Sequence, residues 1–138
     1  MKKGLKTELL KEAVLLAGHT GYVFIATVNG EGIPHMAASK KLSFDSDNNV
    51  VLTEWFCPGT MENLTGGNSH LAIAVWDSRK DKGYQLIGRA KKEEDLAYLD
   101  GYNLRKKDDV PQIQRKITVE VEKILDFKLR PHTDIERS

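Results

Sequence analysis

The stretch Leu52-Thr53-Glu54-Trp55-Phe56-Cys57-Pro58-Gly59-Thr60-Met61-Glu62-Asn63-Leu64 reads as a β-strand that runs into a Pro-Gly turn and then opens a short helix at Thr60. Threonine is a good helix N-cap. The first turn of a helix carries backbone N–H groups with no intrahelical partner, so the junction is an anion site. Gly59 lets those groups approach a ligand closely. A phosphate is the guest that such a site suits. The local pattern is equally that of an ordinary capped helix.

Working outward, Leu5, Leu9, Leu10, Ala13, Val14, Leu16 and Ala17 share one helical stripe with Lys and Glu opposite. They predict a helix over 5–17, with Gly18 as its stop. Tyr22 to Val28 is rich in β-formers and ends at Asn29-Gly30-Glu31-Gly32, a hairpin turn signal. The return strand is expected over Ile33 to Phe44, followed by a turn at 45–49 and a third strand from Val50 to Phe56. Gly66-Gly67-Asn68 ends the short helix. His70 to Trp76 and Gly83 to Lys92 are further strands, and Gly88 suggests a bulge or a close backbone approach. Glu93 to Tyr102 reads as helical, and 105–111 as a polar connector. Ile117 to Val121 alternates as a strand that continues past a register break to Phe127 and Leu129. The tail from Arg130 to Ser138 is polar and expected to fray.

The count is six strands with helices at the start, in the middle and late. Hairpin turns without strand–helix alternation predict a mainly β fold, a small closed or half-closed antiparallel barrel. The 138 residues form one domain, 1–138. A net charge of +1 is not that of a nonspecific nucleic-acid binder. No apolar run approaches the ~20 residues of a membrane span. The basic start Met1-Lys2-Lys3 is followed by interrupted apolar positions, so no signal peptide is expected. The single cysteine, Cys57, suits a reducing compartment, and a cytoplasmic location is expected.

His19, His35, His70 and His132 lack metal-ligand spacing and are read as structural or solvent-facing. Cys57 is read as a small apolar residue at a strand end; the alternative is a thiolate beside a helix N-terminus. Trp55, Phe56 and Trp76 are read as core or interface packing; the alternative is a platform for stacking bases. No serine lies in a nucleophile elbow, and there is no Walker or GxGxxG loop.

Taken in order, these segments resemble the FMN-binding split-barrel flavoproteins, the pyridoxamine 5′-phosphate oxidase-like family. The matching pieces are Ile25-Ala26-Thr27, Gly32-Ile33-Pro34-His35-Met36, Gly59 to Leu64, Asn68 to Ile73, and Gly83 to Ala90. The resemblance implies a six-stranded antiparallel split barrel, Greek-key-like, that binds FMN at the two-fold interface of a homodimer. It places the isoalloxazine ring on the backbone of Ala37, Ala38, Ser39 and Lys40. Leu52, Thr53, Glu54, Gly59 and Thr60 then wrap the ribityl chain and phosphate, joined by Asn63 and Leu64. Trp76 and Gln85 are candidates to cover the open side from the partner subunit. The implied activity is a flavin-dependent oxidoreductase or electron carrier, with a small molecule or redox protein as partner, and with neither nucleic acid nor membrane. No side chain is expected to act as nucleophile or general base.

Two departures stand out. Gly59 and Thr60 occupy positions where the family commonly carries a Lys or Arg for the phosphate. Charge would then come from elsewhere, with Lys40, Lys41, Arg79, Lys80 and Lys82 available. Arg130-Pro131-His132 matches poorly the Arg-x-His-type substrate segment of true pyridoxamine phosphate oxidases, so vitamin B6 synthesis is not expected. The alternatives are the same fold binding F420 or haem, or a cofactor-free β-barrel module for nucleic acid or protein.

Overall fold

The computed structural model describes residues 3–55, 58–66, 69–98, 113–131 and 135–137. The elements are α1 (Lys3–Thr20), β1 (Val23–Val28), β2 (Pro34–Ser39), β3 (Leu42–Phe44), β4 (Asn49–Trp55), α2 (Pro58–Thr65), β5 (His70–Asp77), β6 (Lys82–Tyr98) and β7 (Ile113–Asp126). The strands form one antiparallel sheet in the order β2-β1-β5-β6-β7-β4-β3.

That order requires closure. β2 and β3 sit at opposite edges yet are consecutive, joined only by Lys40 and Lys41. Seven flat strands would be about 29 Å wide. Two linking residues reach about 11 Å. The sheet must therefore curl until its edges meet, which brings β2 against β4, and the Thr53 N–H donates to the Lys41 carbonyl at 3.2 Å, carrying the β3–β4 pairing up to the bend. Strand alternation sends Val23, Ile25, Leu52, Ile73, Val75, Leu86, Ile117 and Val119 into the barrel, each at most 1% exposed. Leu9, Leu10, Ala13 and Ala17 of α1 join the same core.

Several expectations are corrected. There are seven strands rather than six, because the return strand of the first hairpin bends at Lys40-Lys41 into β2 and β3. Glu93 to Tyr98 is strand, not helix. β6 runs through to Tyr98, paired with β7 down to Ile113, so ladder pairing overrides local helix propensity. Residues 99–102, the connector at 105–111 and His132 lie outside the described residues. α1 passes Gly18 and ends at Thr20, followed by Gly21, whose φ is 91° and whose N–H reaches the Ala17 carbonyl at 2.8 Å. The described parts of the tail are pinned rather than frayed. Arg130 pairs with Asp81, Arg137 with Asp126, and Glu136 bridges Leu125. The Asn29–Gly32 turn forms as expected. Asn29 Oδ1 accepts from the N–H groups of Glu31 and Ile33 at 2.8 and 2.9 Å, and Gly32 takes φ 82°.

Tyr84 ties α1 to the barrel. Its hydroxyl donates to Glu12 Oε2 at 2.7 Å. Burial, then that hydrogen bond and the Glu12 charge, push the phenol up to about 12 from 10.0. A raised tyrosine pKa favours the folded state while the phenol is protonated. This contribution is complete below pH 10.0 and is lost as pH rises to about 12. Stability should therefore fall across that window, and Tyr84→Phe should flatten the fall. An alkaline stability profile identical in wild type and Tyr84→Phe would refute the coupling.

Candidate functional site

β2 presents two chemically different faces. His35, Ala37 and Ser39 lie opposite Thr27, Ile25 and Val23 and turn inward, while Met36 and Ala38 turn out and are exposed. Ser39 is 3% exposed, and its hydroxyl has no hydrogen-bond partner in the structure. A buried hydroxyl left in this state costs free energy, so the position suits a ligand that supplies a donor or acceptor. Ala37 and Ala38 are small enough to leave the strand backbone open to a planar ring. Lys40 follows at the exposed end of the strand.

α2 is docked across the other end of β2. It begins at Pro58, two residues before the expected start, and proline suits a first helical position because its missing N–H is not needed there. Thr60 is therefore not the N-cap but part of the first turn, 1% exposed. Its Oγ1 lies 3.4 Å from Nδ1 of His35, at the long limit of a hydrogen bond. Asn63 Nδ2–H donates to Thr27 Oγ1 at 2.9 Å, and Leu64 enters the core. These contacts place the first turn of α2 beside an imidazole at the start of β2.

Of the expected site residues, Ala37, Ala38 and Ser39 lie on β2, with Ala38 turned to the outer face, and Thr60, Asn63 and Leu64 lie on α2, which packs against β1 and β2. Gly59 lies in the same first helical turn. Leu52 points into the core at 0% exposure, so only its backbone could meet a ligand. Thr53 and Glu54 are on β4, in register with Lys116 and Arg115 of β7. Trp76 and Gln85 are on the outer face, away from the barrel interior. Phe56, Cys57 and Asn68 lie outside the described residues.

The candidate phosphate cations divide by position. α2 bonds Thr27, next to Ala26, which pairs with Ala72. From Ala72 to Asp77 the strand runs about 17 Å, so Arg79, Lys80 and Lys82 lie at the far end of β5. They cannot serve α2 of their own chain. Lys40 is a similar distance along β2 from His35. The basic group set against Thr60 is His35, which spacing alone assigns to the structural histidines. The signal for it was present: alternation along Pro34–Ser39 puts residue 35 on the face of Ala37 and Ser39.

The outer face carries a second feature. A cavity of ≈ 150 Å³ is lined by Phe24, Ala26, Met36, Ala72, Ala74 and Gln85, with Phe127 beyond the end of β7. Around it Tyr22, Phe24, Ile33 and Met36 are exposed, Met36 by 65%. Such a patch on a sheet face marks an interaction surface. Among the described residues no helix is long and apolar enough to cross a membrane. No three His, Cys, Asp or Glu side chains among them are placed to hold a metal ion.

No protein-family model matches this chain, and no curated protein matches it. Solved structures do. An FMN-binding protein from Syntrophomonas wolfei subsp. wolfei superimposes with a TM-score of 0.67 at 18% identity, over 91% of this chain and 90% of that one. A protein from Clostridium acetobutylicum, related to general stress protein 26 of B. subtilis and of the pyridoxinephosphate oxidase family, gives 0.63 at 20% identity, over 95% and 94%. An F420 reductase gives 0.56 at 16% identity, over 80% and 93%. The fold is the split barrel that these proteins share.

Proposed function

We propose that this chain is an FMN-binding flavoprotein of the pyridoxamine 5′-phosphate oxidase-like family, working as a two-fold homodimer with the flavin at the subunit interface. The observation that carries the reading is the docking of α2 on β2. The first turn of a helix and the His35 imidazole meet at one end of a strand whose other end holds the orphan Ser39 hydroxyl. A molecule with a phosphate at one end and a polar ring at the other suits both. The FMN-binding and oxidase-family structures of similar fold and nearly full coverage support the same ligand.

In this reading the phosphate is held by N–H groups of the first turn of α2, the Thr60 hydroxyl and His35. Thr53, Glu54 and the Leu52 backbone flank the ribityl chain, with Asn63 fixing the helix and Leu64 anchoring it in the core. The backbone of Ala37 and Ala38, on the edge strand β2, borders the ring, Ser39 offers a hydrogen bond, and Lys40 a positive charge at the ring's edge. FMN when bound supplies electron or hydride transfer, and the chain supplies binding, orientation and electrostatics. The apolar outer face of β2, β1, β5 and β6 is the dimer contact. There Trp76 and Gln85 of one subunit cover the flavin of the other. An isologous pairing buries the exposed Met36 and Phe24 on both copies at once. The single cysteine suits operation in the cytoplasm.

A second reading keeps the fold and changes the ligand to F420. Its supports are the F420 reductase of similar fold and the lack of Lys or Arg at position 60. The absorption spectrum of the purified protein, with mass spectrometry of what it releases, separates FMN, F420 and haem. The expected result is a flavin spectrum and one FMN per subunit in a dimer. A colourless protein that leaves free FMN fluorescence unchanged at micromolar concentration would overturn the reading.

A further inference from the structure

Asp81 closes the turn between β5 and β6 with φ 48°, a left-handed value that aspartate tolerates better than most residues. Its carboxylate collects four donors. Oδ1 accepts from the Trp76 indole Nε1–H at 2.9 Å and from the Leu129 backbone N–H at 2.7 Å. Oδ2 accepts from the Arg130 backbone N–H at 3.1 Å and from Arg130 Nε–H at 3.2 Å. The backbone bond from Leu129 and the indole bond from Trp76 are the main reasons its carboxyl lies below the usual carboxylate range.

An exposed ion pair contributes little to stability, and Arg130 is largely exposed. What this carboxylate does is geometric. It joins β5, the turn and the segment after β7 at one point, and those pieces border the outer cavity. Trp76 lies two residues beyond Ala74 on the same face, and Leu129 two residues beyond Phe127; Ala74 and Phe127 both line the cavity. Gly83 brings the pieces close. It pairs with Trp76, its carbonyl accepts from the Phe127 N–H at 3.1 Å, and a Cβ there would lie 2.6 Å from the Phe127 carbonyl oxygen.

The geometry points to Asp81 as a positioning residue that holds Trp76 and the Phe127–Arg130 segment as one unit, presetting the wall that one subunit lays over the flavin of the other. The inference rests on the flavin-dimer reading and adds to it the residue that aims the covering indole.

The test is FMN titration of wild type, Asp81→Ala, Asp81→Asn, Trp76→Phe and the double variant Asp81→Ala/Trp76→Phe, with near-ultraviolet circular dichroism of the tryptophans. Phenylalanine keeps an aromatic ring but lacks the indole N–H. Asparagine tolerates the turn and keeps one acceptor for the indole. Asp81→Ala should weaken FMN binding about tenfold and reduce the tryptophan signal. Trp76→Phe in that background should add less than about twofold, because both changes break one linkage. Asp81→Asn should recover most of the loss. Additive losses in the double variant, or Asp81→Ala binding FMN as wild type does, would overturn the assignment while leaving the flavoprotein reading intact. Wild type without affinity for FMN would remove that reading and this assignment together, so the two failures appear in different proteins.

Discussion

Gly88→Ala is expected to destabilise the fold by about 3 kcal/mol, lowering the melting temperature by roughly 10 °C. A Cβ at residue 88 would overlap the carbonyl oxygen of Glu120 and lie 2.8 Å from its carbon and 2.9 Å from the Val121 Cα. Every one of these atoms is backbone, so no side chain can rotate away. β7 cannot retreat, because it is held from its other side. Glu120 pairs with Asn49 of β4, Val119 with Val50, and the Val121 N–H donates to the Asn48 carbonyl at 2.8 Å. The register between β6 and β7 shifts between Ile87 and Gly88, which is where the two backbones come together. Gly30→Ala is the control. Nothing lies within 4 Å of a Cβ there, and the change should stay within about 0.5 kcal/mol. Urea unfolding of both variants checks the contrast. A Gly88→Ala midpoint equal to that of wild type would mean the strands are free to separate.

The same glycine shows what the sequence could and could not reveal. A glycine inside an alternating strand announces a bulge or a close approach, and that signal was readable. So were the Asn29–Gly32 hairpin and the alternation of β5, because each is encoded within a few residues. The late helix was misread for the opposite reason. Glu93 to Tyr98 is charged and rich in helix formers, and only a partner some twenty residues further along, beginning at Ile113, holds it as strand. The bend at Lys40-Lys41 was equally invisible, since it follows from barrel closure, a property of the whole sheet order. The tail carries no periodicity at all. The order of its described parts comes from Asp81 and Asp126, residues whose charge is visible in the sequence but whose partners are not.

The candidate site was legible in its backbone parts and less so in its side chains. β2, the strand before α2 and the helix itself follow from local pattern, and α2 packs against β1 and β2. What the pattern could not supply was which basic group meets the helix. Charge alone points to five lysines and arginines, and the topology sends three of them to the far end of β5. The basic side chain beside the helix is a histidine on the inward face of a hairpin strand, set against Thr60 by a helix that starts earlier than the Thr-cap rule predicts.

Substituting that histidine therefore has the second large expected effect, on ligand choice rather than folding. If FMN is the ligand, His35→Ala should weaken it by about ten- to a hundredfold, since a hydrogen bond to a charged group is worth roughly 1.5–3 kcal/mol. Riboflavin has the same ring and ribityl chain but no phosphate, and its affinity should change by less than about twofold. The ratio of the two affinities isolates the phosphate term from any general loosening of β2. His35→Lys should restore the preference for FMN, because an ammonium can replace the imidazole as hydrogen-bond donor to the phosphate. Thr60→Val, which keeps the shape of the buried side chain and removes its hydroxyl, should lose FMN affinity in the same direction. Fluorescence titration with each ligand reads all of these. Equal losses for FMN and riboflavin would make His35 a packing residue. The phosphate would then rest on the α2 N–H groups alone, a weaker site for a dianion, because helix-end partial charges amount to only about half an elementary charge.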